Sequence, residues 1–119
     1  MLTVTKRFTF EYAHRLPNYQ GDCCNVHGHR GICFVTVSGY KDNGSGMIID
    51  FKKLKTDIGP IIDQLDHAFL NDIIENPTAE NITIHIVNAI KDKDDFYNSN
   101  LKKVRVYETE DCYAEWTKC

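Results

Sequence analysis

The chain has 119 residues, of which 42% are hydrophobic and 26% charged, and its formal net charge is −3. This length and composition predict a single globular domain over residues 1–119. The negative net charge argues against binding to nucleic acid or to an anionic membrane surface. No stretch approaches the roughly 20 apolar residues of a membrane span, and the N-terminus lacks the apolar segment of a signal peptide. Because the cysteine count of five is odd, we expect free thiols and a cytoplasmic location.

The first predicted element is a half-buried strand over residues 2–12. Apolar side chains share one parity in it, with Lys6 the exception: Leu2, Val4, Phe8, Phe10 and Tyr12. His14 has the same parity and points the same way if the strand continues. Residues 15–26 are rich in turn formers and predict a loop.

A second strand is predicted from His27 to Tyr40. Residues i and i+2 of a strand face the same side, so His27 and His29 can aim at one point. After a turn at Asn43-Gly44, residues 47–50 are predicted to be extended.

Two helices follow in the predicted order. Asp50 can cap the first, whose apolar residues recur at intervals of three and four: Phe51, Leu54, Ile58, Ile61, Ile62 and Leu65. Gly59-Pro60 is expected to kink or break this helix near its middle. Thr78 is the expected N-cap of the second helix, whose predicted buried stripe is Ala79, Ile82, Ile86 and Ile90.

The C-terminal part predicts a polar loop over residues 91–100 and then two strands joined by a turn at Glu110-Asp111. The order β-β-α-α-β-β favours an α+β fold, in which an antiparallel sheet carries two helices packed on one face. Such a sheet has edge strands that need partners, and oligomerisation through the sheets would supply them.

The histidines at the ends of the first two strands form a candidate metal site. A His-x-His pair after a loop is a common way to present two imidazole nitrogens to zinc, and His14 can supply a third. Three imidazoles with one open position are typical of catalytic zinc. Alternatively, Cys23 or Cys24 could close a structural zinc site together with His27 and His29. Spacing alone does not distinguish the two.

Two further polar features call for an explanation. Asp66 directly precedes His67. Either both are solvated residues at a helix end, or the Asp66 carboxylate tunes the protonation of His67. Glu108 lies on a strand face that is otherwise apolar through Val104 and Val106. A carboxylate there needs a partner, and a ligand with two parallel N–H groups would provide one.

Six fragments, in this order and spacing, resemble the 6-pyruvoyltetrahydropterin synthase family: FEYAHRLP, C-x3-HGH, GMIIDF, LDHAFLN, NPTAEN and YET. The resemblance extends from about Phe8 to Glu108. Within the family it is greatest to the bacterial 6-carboxytetrahydropterin synthases of queuosine biosynthesis, because only three residues separate Cys23 from His27. It implies the tunnelling fold, in which subunits join their sheets into a barrel, usually as a homohexamer made of two trimers.

The resemblance also implies roles for individual residues, which we state as expectations. The zinc ligands correspond to His14, His27 and His29. The catalytic cysteine corresponds to Cys23, and its acid–base partners, contributed by a neighbouring subunit, correspond to Asp66 and His67. The positions that hold the pterin substrate correspond to Glu108, Thr78 and Glu80. Cys24 and Gly31 depart from the family pattern: the first adds a thiol, and the second stands where an aromatic residue usually follows the zinc histidines.

The implied reaction converts 7,8-dihydroneopterin triphosphate into 6-carboxy-5,6,7,8-tetrahydropterin with loss of triphosphate and acetaldehyde. An alternative is the 6-pyruvoyl activity, in which triphosphate is eliminated without carbon–carbon cleavage. A non-catalytic module that binds zinc or a pterin is a third possibility. The combination of Cys23, Asp66, His67 and Glu108 argues against such a module, since binding zinc requires none of them.

Overall fold

A computed structural model describes residues 1–119. Five strands form one sheet in the order β3-β1-β2-β4-β5. Their bounds are β1 Leu2–His14, β2 His27–Gly39, β3 Ala68–Phe69, β4 Leu101–Thr109 and β5 Cys112–Thr117. The α+β prediction is confirmed, but the sheet is mixed, because β3 runs parallel to β1 while the other pairs are antiparallel.

Three helices accompany the sheet: α1 Phe51–Leu65, α2 Ala79–Lys91 and α3 Asp95–Asn100. α1 packs against β1, and α2 packs against β4 and β5. A single cluster of 19 buried apolar residues lies between the helices and one face of the sheet. Both predicted caps are confirmed, since the side chain of Asp50 accepts from the N–H of Lys52 and that of Thr78 accepts from the N–H of Asn81. No helix is long and apolar enough to cross a membrane.

The predicted break in the first helix is wrong. α1 continues through Gly59-Pro60 to Leu65. Pro60 is exposed, while Ile58 and Ile61 on either side of the pair are buried in the core. Burial of the apolar face on both sides keeps the helix together, although the proline removes one backbone hydrogen bond.

One other prediction fails, in a segment whose polar composition indicates a loop. The predicted polar loop over residues 91–100 contains α3, because the Asp94 side chain caps it at the N–H of Phe96 and the fully buried Tyr97 anchors it to the core. The Tyr97 hydroxyl donates to Asp57 at 2.7 Å. Residues 47–50 pair with no strand; Ile48 and Ile49 form a bend, and Asp50, the N-cap of α1, has extended backbone as predicted.

The ribbon of β1 and β2 is the longest part of the sheet, with 13 residues in each strand. Tyr12 is paired with His29 and His14 with His27, so these four side chains share the face that the helices cover. Cys33, in the middle of β2, is fully buried, and burial raises the pKa of its thiol to about 12. This cysteine is a core residue, and its thiol stays protonated at neutral pH.

Gly31 allows an aromatic ring to lie directly on the backbone of β2. A Cβ added to Gly31 would lie 2.5 Å from Cζ of Phe10, whose side chain is 1% exposed. The Phe10 ring stacks on Tyr12 with centroids 5.3 Å apart. Phe10 therefore fills the space that a side chain at position 31 would occupy.

The sheet ends in two edges that are largely unpaired. β3 covers only Tyr12 and Ala13 of β1, which leaves most of the outer edge of that strand without a partner. The outer edge of β5 has no partner either. Such edges present rows of free N–H and C=O groups to any strand that can pair with them.

We expect Gly31→Ala to lower the free energy of unfolding by about 1–3 kcal/mol, because the new methyl group overlaps a ring that the core holds in place. Gly59→Ala is the matched control. A Cβ at Gly59, inside α1, meets nothing within 4 Å, so alanine should raise the free energy by about 0.5–1 kcal/mol. Urea unfolding measures both, and equal effects would contradict the packing described for Phe10.

Candidate active site

Four side chains that could hold a metal ion converge where β1 ends and β2 begins. They belong to His14, His27, His29 and Glu108, and their ligating atoms all lie within 4.8 Å of one another. His14 is fully buried, while the other three are partly exposed. The sequence singled out all three histidines, and the structure brings them together.

Hydrogen bonds to the backbone fix the orientation of two imidazoles. Nδ1 of His14 lies 2.8 Å from the carbonyl oxygen of Pro77, and Nδ1 of His27 lies 2.7 Å from that of Asn25. A carbonyl oxygen can only accept, so each Nδ1 carries the proton and each Nε2 of a neutral ring has a lone pair. This is the arrangement by which metal-bound histidines are usually oriented.

The two Nε2 atoms of His14 and His27 face each other at 2.9 Å. With both Nδ1 atoms acting as donors, the lone pairs of two neutral rings point at one another, and this close approach is repulsive unless a proton or a metal ion lies between them. A metal ion among the histidines removes the repulsion.

His29 completes the set of imidazoles. Its Nε2 is buried and has no hydrogen-bond partner, although it lies 3.3 Å from a carboxylate oxygen of Glu108. Burial lowers the pKa of His29, and His14 and His27 lower it further, while Glu108 acts in the opposite direction. The neutral imidazole that results is the form that binds metal. Three imidazole nitrogens and one further position form a donor set that suits zinc.

Glu108 lies between the histidines and a neighbouring cleft. One carboxylate oxygen is 3.3 Å from Nε2 of both His14 and His29, and the side chain is 29% exposed. Glu108 also lines a cleft of about 390 Å³ together with Glu80, Cys112 and Tyr113. From the sequence Glu108 was expected to bind substrate, and its contact with the metal cluster was not anticipated.

Neither vicinal cysteine belongs to the histidine cluster. Cys23 and Cys24 are half-exposed in a short 3-10 turn, Asp22–Cys24. The carbonyl oxygen of Cys23 accepts from the N–H of Leu16 at 2.8 Å, and that of Cys24 accepts from Nε of Arg15 at 3.1 Å. This geometry favours an open three-histidine site over a closed site of Cys-His type.

Asp66 and His67 form a pair that is anchored to β1. Nδ1 of His67 lies 3.0 Å from Oδ2 of Asp66, and Oδ1 of Asp66 accepts from the N–H of Glu11 at 2.7 Å. The Glu11 N–H, followed by the bond with His67, holds the pKa of Asp66 below its usual range. His67 is the only non-glycine residue with positive φ, at 55°, and its N–H donates to the carbonyl oxygen of Glu11.

The exposed imidazole of His67 lines a cleft of about 550 Å³. The same cleft is lined by His29 and by Arg30, which forms an ion pair with Glu11 at 2.6 Å. His67 and one histidine of the metal cluster therefore face a common space.

Thr78 and Glu80 lie at the start of α2. The Thr78 hydroxyl accepts from the N–H of Asn81 at 3.1 Å, and Glu80 is exposed on the cleft that Glu108 lines. Sequence reasoning missed the carbonyl oxygens of Pro77 and Asn25 and the backbone of Glu11, because a main-chain acceptor can belong to any residue type and leaves no signal.

We expect His27→Ala to weaken zinc binding by more than about 100-fold, since even the loss of a residue that only orients a ligand costs 10–100-fold. His85→Ala is the control, because His85 is a half-buried histidine of α2 outside the cluster. Metal analysis after dialysis measures both. Full retention of zinc by His27→Ala, together with loss from Cys23→Ala, would instead support the Cys-His site.

Comparison with known proteins places this geometry in one family. The profile of the family described as 6-pyruvoyl tetrahydropterin synthase matches residues 3–119. A 6-carboxy-5,6,7,8-tetrahydropterin synthase from Synechocystis is 42% identical over 93 residues, which cover 72% of each chain. A dihydroneopterin monophosphate aldolase from Pyrococcus furiosus is 34% identical over 88 residues, which cover 74% of each chain.

Among solved structures, the 6-pyruvoyl tetrahydropterin synthase of Caenorhabditis elegans superimposes with a TM-score of 0.87 at 28% identity. The match covers 99% of this chain and 96% of that one. Sequence and structure therefore agree, and the chain belongs to the 6-pyruvoyl tetrahydropterin synthase family.

Proposed function

We propose that this protein is a zinc-dependent 6-carboxy-5,6,7,8-tetrahydropterin synthase of the queuosine type. It converts 7,8-dihydroneopterin triphosphate and water into 6-carboxy-5,6,7,8-tetrahydropterin, triphosphate and acetaldehyde. The proposal rests on the facing Nε2 atoms of His14 and His27, which favour a cation in the histidine cluster. His29 of this cluster lines one cleft, and Glu108 beside it lines another. The Synechocystis relative supports the choice of reaction by its name.

The three histidines would hold the metal, with Pro77 and Asn25 fixing two of the rings through their carbonyl oxygens. A zinc ion bound there supplies Lewis-acid polarisation of the hydroxyl groups of the substrate side chain.

The pterin ring is assigned to the cleft that Glu108 and Glu80 line. The Glu108 carboxylate accepts two N–H groups from the amino-pyrimidinone edge of the ring, a bidentate pairing that fixes its orientation. Glu80 and Thr78 border the ring at the start of α2, where the hydroxyl of Thr78 also caps the helix.

Proton transfer is assigned to Cys23, His67 and Asp66. The thiol of Cys23 is half-exposed, and the turn that carries it is held by the N–H of Leu16, which donates to the Cys23 carbonyl oxygen. As a thiolate it removes a proton from the side chain of the pterin. His67 carries the proton onward, and Asp66 holds the imidazole through Nδ1, so that Nε2 faces outward.

We further propose that the active site forms between subunits of a homo-oligomer, a hexamer made of two trimers. The support is the largely unpaired edges of β1 and β5, which two copies of the chain can pair. Asp66 and His67 lie beside the edge of β1, where they can reach the Cys23 of the partner subunit.

Analysis of the aldehyde product tests the reaction. The purified enzyme is incubated with 7,8-dihydroneopterin triphosphate, and aldehydes are trapped and identified. We expect acetaldehyde together with the mass of a 6-carboxypterin. Triphosphate release with all side-chain carbons retained would establish the 6-pyruvoyl reaction instead. Release of a two-carbon aldehyde that still carries the triphosphate would establish an aldolase reaction, the alternative that the Pyrococcus furiosus relative raises. If none of these products forms, the alternative of a non-catalytic module that binds zinc or a pterin is supported.

We expect Cys23→Ala to lower kcat by about 10²–10⁴-fold, the usual contribution of a general base, while zinc content is retained. Cys24→Ala is the matched control, because Cys24 is the neighbouring half-exposed thiol in the same turn, and it should have a mild effect. Steady-state kinetics with metal analysis measures both variants. Equal losses would assign the chemistry to the turn as a whole and contradict the role of Cys23.

Subunit complementation tests the shared site. Cys23→Ala and His67→Asn subunits, each inactive, are dissociated, mixed and reassembled. Asparagine is chosen because it tolerates the positive φ of position 67 while removing the titrating group. We expect mixing to restore part of the activity, since mixed assemblies contain sites in which both residues are intact. A fully active monomer would contradict the proposal.

A further inference from the structure

The hydroxyl group of Tyr12 lacks a hydrogen-bond partner within the protein. Tyr12 is 4% exposed, and its hydroxyl oxygen is buried. A buried hydroxyl without a partner destabilises the folded protein, because it has lost its hydrogen bonds to water. The other fully enclosed tyrosine, Tyr97, donates to Asp57 at 2.7 Å, which makes Tyr12 the exception. Because the Tyr12 hydroxyl forms no hydrogen bond in the core, packing of the core does not explain why this residue is a tyrosine.

Packing holds the Tyr12 ring against the histidine cluster. Its centroid lies 5.2 Å from that of His14, in an edge-to-face arrangement, and 5.6 Å from that of His29. On the other side the ring stacks on Phe10, which rests on the bare backbone of Gly31. The phenol therefore has little freedom to turn away from the site.

Glu108 is the acceptor that the sheet register brings to this place. Tyr107 is paired with Ile32, so the next residue of β4, Glu108, comes to lie beside Gly31. Because Gly31 has no side chain, nothing projects from β2 between β1 and β4 at this level. One oxygen of its carboxylate lies 3.3 Å from Nε2 of both His14 and His29, the two imidazoles that the Tyr12 ring contacts.

We propose that Tyr12 is a positioning residue for Glu108, whose carboxylate takes the hydrogen bond of the Tyr12 hydroxyl when it receives the N–H groups of a pterin. This inference rests on the proposed function. Each carboxylate oxygen can accept two hydrogen bonds, so two N–H groups of the ring leave room for a third donor. The phenol would fix the orientation of the carboxylate that receives the ring.

Binding of a pterin that cannot react tests the proposal separately from turnover. The probe is neopterin, the oxidised and fluorescent ring system without phosphate, titrated into the zinc-loaded protein. We expect Tyr12→Phe to raise the Kd by about 10-fold, because a hydrogen bond to a charged group is lost. Glu108→Gln should raise it at least as much. In the Glu108→Gln background Tyr12→Phe should add nothing, since the two residues act as one unit.

Tyr97→Phe is the control for stability. It removes a hydroxyl that has a partner and should lower the Tm, whereas Tyr12→Phe removes one without a partner and should raise the Tm while the zinc content is unchanged. If wild-type protein does not bind neopterin, the proposed function fails and this inference fails with it. If Glu108→Gln weakens binding and Tyr12→Phe does not, only the inference about Tyr12 is overturned. Loss of zinc from Tyr12→Phe, or an equal effect in both backgrounds, would also overturn it.

Discussion

The antiparallel register of β1 with β2 is the constraint on which the site depends. It places His14 opposite His27 and Tyr12 opposite His29, so that two strand ends deliver three imidazoles to one side of the sheet. If one of these strands slipped by one residue against the other, its side chains would turn to the opposite face of the sheet. The apolar alternation of both strands, buried through Phe10, Cys33 and their neighbours, prevents that slip. The core that makes the protein fold therefore also sets the positions of the candidate metal ligands.

Much of this arrangement could be predicted from local patterns. Period-two alternation predicted β1, and the i, i+2 spacing of His27 and His29 in the second predicted strand indicated their shared direction. Capping side chains at Asp50 and Thr78 predicted the start of both long helices, and these caps are observed. Thr78, the N-cap of α2, directly follows Pro77, whose carbonyl oxygen orients His14. A helix start and a ligand orientation are thus joined in one short segment.

The features that could not be predicted arise from tertiary contacts. Pro60 weakens a helix locally, but burial of apolar residues on both sides outweighs this effect. α3 exists because Tyr97 reaches the core, which a composition of polar residues does not reveal. The two-residue β3 is too short for any periodicity. The approach of Glu108 to the histidines depends on the pairing of β4 with β2, which only the folded sheet defines.

The buried thiol of Cys33 can be used to measure how often the folded structure opens. Cys33 lies in the central strand, paired with Phe8 and Val106, and its side chain is buried in the core, so a thiol reagent can reach it only when the core opens. The four other cysteines are at least partly accessible in the folded chain. The rate at which Cys33 becomes labelled would therefore follow the opening of the most stable part of the structure, as slow amide exchange does. The same thiol would distinguish a ligand that stabilises the whole sheet from one that orders only the loop around Cys23.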